Sequence, residues 1–350
     1  MVILGIETSC DETSAAVVAE TGDLLRPWKL LSNVIASQAP IHREWGGVVP
    51  ELASRQHIRD ICGVVEHALE KGGVTWRDLG GIAVTQGPGL VGSLLVGVSF
   101  AKSAAAAAGK PIVGVHHLAG HIESLTLHHG ELPLPAVVLV VSGGHTSLYL
   151  VEQPGHYELL SRTRDDAAGE AYDKVAKLLG LGYPGGPVVD RLARTGNDRA
   201  VALPTTRLTH ADRNAPDLKG DLDFSFSGLK TAVRRHVYQQ QATGDLTEAQ
   251  VADVCASFQR VVVTALIERT FAAARRYHAR GVGVAGGVSA NSRLRADLEA
   301  YGTAREMPTF VPSLQLSTDN AAMIAAAGLR KLRAGITSTF EMNADAALPL

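Results

Sequence analysis

The sequence predicts an α/β chain of two lobes on a duplicated plan, and three observations carry that expectation. At 350 residues the chain is long enough to bury two cores. Val2-Ile3-Leu4-Gly5-Ile6-Glu7-Thr8-Ser9 followed by Thr13-Ser14-Ala15-Ala16-Val17-Val18 reads as two strands joined by a short polar turn, and the run from Val137 to Leu150 repeats that pattern in the second half. Strand-like and helix-like segments alternate through the rest, which implies βαβ connections. The turns of the two hairpins are expected to face one another across a cleft.

The elements follow in order. Hydrophobic periodicity predicts a helix from Pro50 to Lys71, a strand Gly81 to Thr85, a helix Leu90 to Ala108 and a strand Pro111 to Val115. After the second hairpin come helices near Gly169 to Leu179, Val188 to Arg194 and Thr247 to Tyr277, then a strand Gly281 to Ala285 feeding a turn and a helix. The polar, aperiodic stretch from Thr205 to Ser227 reads as a long loop, either a lid or a surface insertion. A last helix, Thr318 to Leu332, is expected to be capped by Ser317 or Thr318, with Asp319 in its first turn.

Apolar residues make up 46% of the chain and aromatics only 5%, so Ala, Val, Leu and Gly carry the cores, as tight helix-on-sheet packing requires. A net charge of −2 means that any nucleic-acid contact must come from a local basic patch or from a partner protein. The chain runs from Met1 directly into a strand, so no signal peptide is expected. No apolar stretch reads as a membrane span, and the expected compartment is the cytoplasm. Cys10, Cys62 and Cys255 are too few and too scattered for a disulfide framework or a Cys-rich zinc site; Cys10 reads first as a small residue in a tight turn, with a reactive thiol as the alternative.

Three patterns carry chemistry. His117 and His121, at i and i+4, share one face of a helix and can share a metal ion, a chance surface pair being the alternative. The Glu of H-E-x-x-H is missing, so a zinc-protease reading fails at its general base. Asp319 is a reasonable third ligand, although a carboxylate at a helix start is also explained by capping and the helix dipole. Gly-rich turns recur at Ser142-Gly143-Gly144-His145, Gly185-Gly186 and Ala285-Gly286-Gly287, where backbone N–H groups can approach phosphate oxygens. Each alone is equally a packing glycine; together with the hairpins they favour a nucleotide cleft. Glu7, Asp11, Glu12, Asp173 and Asp190 are candidate carboxylates for hydroxyls, a metal or an amine, or are simply solvated.

In combination these residues resemble a known family. Gly5-Ile6-Glu7-Thr8-Ser9-Cys10-Asp11-Glu12-Thr13, the run from Gly46 to Arg55, Gly87-Pro88-Gly89-Leu90, the His117/His121 pair, Val140-Val141-Ser142-Gly143-Gly144-His145, the Asp173 helix, Tyr183 to Pro187, Phe224-Ser225-Phe226-Ser227-Gly228-Leu229-Lys230, the Asn291 turn and Ser317-Thr318-Asp319-Asn320 fit in order and spacing. They resemble the universal tRNA threonylcarbamoyl-adenosine transferases, the TsaD family, and the loop length its bacterial branch. The resemblance implies an actin/Hsp70/sugar-kinase-like (ASKHA) fold, duplicated and two-lobed with an interlobe cleft. Residues 1–130 would form the first lobe, with a helix 318–334 packing back on it, and residues 131–317 the second, carrying the loop 205–227.

The same resemblance implies that His117, His121 and Asp319 bind one divalent metal, Fe2+ or Zn2+. It implies that Val140, Val141, Ser142, Gly143, Gly144, Asp173, Gly186, Asp190 and Asn291 hold threonylcarbamoyl-AMP, in a site that ATP or ADP can also occupy. The acceptor would be N6 of the adenosine immediately 3′ of the anticodon in tRNAs reading codons that begin with A, with AMP released. Asp11 or Glu12 is the expected proton acceptor. Expected partners are tRNA, a smaller ASKHA paralogue in a heterodimer, a P-loop ATPase and an upstream threonylcarbamoyl-AMP synthase, with no membrane. Two rivals stand beside this reading. One is a metal-dependent O-carbamoyltransferase of small-molecule biosynthesis, whose chains usually carry an added C-terminal domain; this sequence stops soon after Asp319. The other is a non-catalytic ATP-binding scaffold, which the full metal triad disfavours. A secreted glycoprotease lacks support.

Overall fold

A computed structural model describes residues 1–205, 208, 220–242 and 244–350. Most of the expected loop 205–227, namely 206, 207 and 209–219, lies outside the described residues. The chain divides into two compact units: residues Met1–Leu132, Gln153–Tyr157 and Pro312–Leu350 form one, and Pro133–Glu152 with Glu158–Val311 the other.

In the first unit, β1 (Val2–Glu7), β2 (Glu12–Glu20) and β3 (Trp28–Ser37) are followed by a short α1 (Ala39–His42), α2 (Pro50–Gly72), β4 (Gly81–Gly87), α3 (Val91–Ala108), β5 (Ile112–His116) and α4 (His117–His129). The sheet order is β3-β2-β1-β4-β5. β1 runs antiparallel to β2, with Gly5 opposite Ala16, and parallel to β4, with Gly5 opposite Ala83. Side chains alternate across this sheet. Leu4, Ile6, Ala15 and Val17 point into a core with α2 and α3, while Ile3, Ala16 and Val18 point into a second core beneath the chain's last helix.

The second unit opens with β6 (Ala136–Val141), β7 (Thr146–Gln153) and β8 (His156–Arg162). It continues through α5 (Ala168–Leu178), α6 (Gly185–Ala193), α7 (Ser227–Gln241), α8 (Glu248–Arg276), β9 (Gly281–Ala285), α9 (Ser292–Thr303) and β10 (Thr309–Phe310). Its sheet is ordered β8-β7-β6-β9-β10, the same plan as the first, with β6 antiparallel to β7 and parallel to β9. The duplication read from the two hairpins is therefore present in the strand order. α8 starts from a complete capping box of Thr247 and Gln250 and is buried along most of its length.

The chain then returns to the first unit through α10 (Leu314–Ser317) and α11 (Ala321–Arg333). α11 lies directly on the β1 backbone. A Cβ at Gly5 would overlap the Ala321 carbonyl oxygen and sit 2.8 Å from the Ala325 Cβ, so only glycine lets the helix this close.

The structure corrects several boundaries. The final helix begins at Ala321, and its cap is Asn320, whose side chain accepts from the Met323 N–H at 3.1 Å. Ser317 instead ends α10, its hydroxyl donating to the Ser313 carbonyl. Asp319 therefore precedes the cap, and the helix-dipole explanation of it does not hold. Gly185 and Gly186 form the first turn of α6, not a free turn. The absence of any apolar stretch fit to span a membrane is also corrected: α3 and a window within α8 pass that test of length and composition. Two thirds of the α8 window is buried, as in the core helix of a globular domain.

Candidate functional site

β5 ends at His116, whose Nδ1 accepts from the Leu118 N–H at 3.1 Å and so starts α4. The helix then presents His117 and His121 one turn apart, ring centroids 4.7 Å from each other. Asp319, on the linker between α10 and α11, faces both: its Oδ1 lies 3.5 Å from His117 Nε2 and 3.2 Å from His121 Nε2. One donor atom from each of the three falls within 4.8 Å of the others.

The second ring nitrogen of His117 is fixed from β1. Glu7 Oε1 accepts the Ser9 N–H, and its Oε2 accepts the Thr85 hydroxyl at 2.7 Å, so the carboxylate is acceptor-only and His117 Nδ1 donates to it at 3.0 Å. That turns Nε2 toward Asp319, the carboxylate–histidine arrangement that orients a metal ligand. Burial pushes the Glu7 carboxyl up, but the charge and hydrogen bond of His117 outweigh it and hold Glu7 below its usual range. Burial likewise favours neutral His117, yet Asp319 and Glu7 raise it to about 9. His121 is fully buried, which pushes its basicity down, and its ring nitrogens have no hydrogen-bond partner among the described residues beyond the facing Asp319 carboxylate. An imidazole so placed suits a metal ligand. Two nitrogens and a carboxylate oxygen, with a second carboxylate behind them, fit a divalent cation that accepts mixed N/O ligands.

Asp11 is buried in the turn after β1, and Glu12 opens β2, where its Oε1 accepts from the Ser37 hydroxyl at 3.2 Å. Burial, then the neighbouring Asp11 and Asp319 charges, push the Glu12 carboxyl well up. The turn is tied down by His57: its Nε2 lies 3.0 Å from the Cys10 carbonyl, which can only accept, so Nε2 carries the proton and Nδ1 accepts from the Thr13 hydroxyl at 2.8 Å. Burial, followed by Asp11 and Asp319, also pushes the Cys10 thiol far up, so this cysteine is inert filling in the turn. Cys62 is exposed and Cys255 buried. Iodoacetamide at pH 8 is accordingly expected to label the native chain at Cys62, with Cys10 and Cys255 slower by at least about tenfold. Peptide mapping of the alkylated protein checks this, and fast labelling at Cys10 would contradict it.

The second unit gathers its candidates around the ends of β6 and β9. Val140 and Val141 are buried strand residues. Ser142 N–H donates to the His145 carbonyl, and the Gly169 N–H at the start of α5 donates to the Ser142 carbonyl. Gly286 (φ 92°) closes the turn after β9 against the Val141 backbone, where any side chain would collide. Asp173 Oδ1 accepts the Gly185 N–H at 2.7 Å and so anchors the start of α6. Asp190 Oδ1 accepts from Ser292 Oγ at 2.8 Å and from Gln259 Nε2 at 3.2 Å, while Asn291 caps α9 and donates to Gln259 Oε1 at 2.8 Å.

Asp190 and Asn291 are thus joined through Gln259. Sequence reasoning did not single out Gln259, which sits inside α8 with no local signal. It named Glu7 only as one of several carboxylates and did not see it behind His117; its place in the first strand, level with the histidine helix, becomes visible only in the sheet.

Comparison with known proteins agrees with the resemblance. Residues 29–326 match the TsaD family, described as tRNA N6-adenosine threonylcarbamoyltransferase. A relative of that name from Moorella thermoacetica is 49% identical over 348 residues, covering 99% of this chain and 97% of its own. Among solved structures, component A of the Acidaminococcus fermentans (R)-2-hydroxyglutaryl-CoA dehydratase superposes over 96% of this chain and 100% of its own, with a TM-score of 0.51 at 14% identity. Full-length HypF, in a phosphate- and nucleotide-bound form, superposes over 95% of this chain and 55% of its own, with a TM-score of 0.57 at 13% identity. At such identities these structures speak to the fold alone, which is of the actin/Hsp70/sugar-kinase class.

Proposed function

Since this chain belongs to the TsaD family and is a transferase that modifies tRNA with a threonylcarbamoyl group, we propose that His117, His121 and Asp319 hold a divalent Fe2+ or Zn2+ and receive the threonylcarbamoyl end of the donor. The observation that carries this is the convergence of those three groups with a buried His121 otherwise unbonded among the described residues. The donor is threonylcarbamoyl-AMP, and the acceptor is N6 of the adenosine immediately 3′ of the anticodon in tRNAs reading codons that begin with A. A loop base is cheap to unstack, which suits reaction at its edge.

Val140, Val141, Ser142, Gly143, Gly144, Asp173, Gly186, Asp190 and Asn291 hold the adenylate, and ATP or ADP can take the same place. In support, a Cβ at Gly143, Gly144 or Gly186 would meet no protein atom within 4 Å, and none of the three has a positive φ. Neither packing nor backbone strain explains glycine there; room for a phosphate against the main chain does. When bound, the metal supplies a Lewis acid at the carbamoyl carbonyl. The chain's residues do the rest. Glu7 fixes a proton on His117 Nδ1, turns Nε2 toward Asp319 and raises the basicity of that nitrogen, which would strengthen it as a metal ligand. Asp11 or Glu12 accepts the proton lost from N6 as the new C–N bond forms and AMP leaves, and the raised affinity of Glu12 for a proton suits that step. The protein works in the cytoplasm with a smaller ASKHA paralogue, a P-loop ATPase and a synthase that makes the adenylate.

Transfer of labelled threonine from preformed threonylcarbamoyl-AMP into unmodified tRNA, with the partners and metal supplied, tests this. Label is expected with the wild type and not with His117→Ala. A silent wild type would sink the reading.

A further inference from the structure

The second unit has a cavity of about 230 Å³ bounded by Asp166, Lys174, Ser227, Lys230, Thr231 and Arg234, none of them among the residues assigned above to the metal or the adenylate. We propose that this cavity docks the phosphate backbone of the tRNA, with Lys230 and Arg234 as the phosphate-binding groups; the proposal rests on the tRNA-modifying function above and adds where the tRNA is gripped.

Ser227, Lys230, Thr231 and Arg234 fall at i, i+3, i+4 and i+7 of α7, a single stripe of the helix. A second stripe of the same helix, Leu229, Val233 and Val237, is the buried one. α7 contains no acidic residue in its 15 positions, although Lys230 and Arg234 share a turn and repel each other. The nearby carboxylates are engaged elsewhere. Asp166 and Glu170 hold Lys174 at 2.6 and 2.8 Å, and Asp165 accepts from the backbone N–H groups of Phe226 and Ser227 and from the hydroxyls of Ser225 and Ser227. Lys230 and Arg234 have no hydrogen-bond or ion-pair partner among the described residues, and Lys230 is only partly exposed. Two unpartnered cations, hydroxyl-bearing neighbours and a concave surface suit the oxyanions of a nucleic-acid backbone, and a chain of net charge −2 needs such a local patch to hold tRNA.

The test measures binding of an unmodified tRNA transcript to the full chain, alone and with its partner proteins, across a salt series. Lys230→Ala/Arg234→Ala is expected to weaken binding about tenfold or more and to flatten the slope of log K against log salt by about two. The KM for tRNA should rise with kcat at saturating tRNA little changed. Lys230→Arg/Arg234→Lys should keep most of the affinity. Metal content and the unfolding transition of each variant serve as controls for folding. Unchanged affinity, or a loss with no change in salt slope, would overturn the proposal. So would loss of a partner protein with tRNA affinity intact. A wild type that binds tRNA at this patch but never modifies it would tell against the catalytic reading alone.

Discussion

His121→Ala is expected to leave a folded protein that retains little metal and transfers threonylcarbamoyl at least about 100-fold more slowly, beyond the 10–100-fold usual for losing a group behind a ligand. His121 is the informative position because its ring nitrogens face only Asp319 among the described residues, so alanine removes a ligand and no other bond. His117→Ala also strands Glu7, whose Oε2 meets the Nδ1 of that ring at 3.0 Å. Glu7→Gln should fall in between, lowering metal affinity by about 10–100-fold while keeping the side chain's shape. Elemental analysis of the purified variants, beside the labelled-transfer assay, reads all three. Full metal occupancy in His121→Ala would mean that the ligand set is wrong.

Arg330→Met is expected to produce the largest loss of stability, about 3–5 kcal/mol. The guanidinium reaches Glu123 at 2.6 Å and Glu131 at 3.0 Å, with the Arg330 side chain only 15% exposed and Glu123 only 3%. The Tyr157 hydroxyl donates to the same Glu123 oxygen at 2.8 Å. Removing the cation leaves two carboxylates facing one another in a largely dry site. The loss should also reach the chemistry, because Glu123 belongs to the helix that carries His117 and His121, and Arg330 to the helix that follows Asp319. Denaturant unfolding and metal affinity measured on one preparation check both effects. Adding Glu123→Gln should recover part of the loss, since a neutral amide needs no counterion.

The fold was legible because its strongest signals repeat. Two strand–turn–strand runs, and helices such as 50–72 and 248–276 with apolar residues at helical spacing, announce themselves through periodicity. What went unread lacks that contrast. Trp28–Ser37 is an edge strand with mixed burial, and Ser227–Gln241 is a mostly polar helix holding the core with three residues. At the last helix, Ser317, Thr318, Asp319 and Asn320 are each plausible caps, and only the bond from Asn320 to the Met323 N–H decides among them. In the His117, His121 and Asp319 cluster, which could hold a metal, the two histidines were legible through their spacing. Asp319 could be named as a third ligand, but a carboxylate near a helix start has a commonplace explanation, and only the family resemblance tipped the balance toward a ligand. Glu7 behind His117 could not be seen from one dimension.

The return of α10 and α11 to the first unit also sets an order in time. His121 leaves the ribosome roughly 200 residues before Asp319, about 10–40 s at ordinary rates of synthesis. Throughout that interval β1 lacks the helix that covers Gly5, and the two histidines lack their carboxylate. The nascent chain must make the whole second unit before the first can close, so a chain terminated before Asp319 cannot bring that carboxylate to His117 and His121.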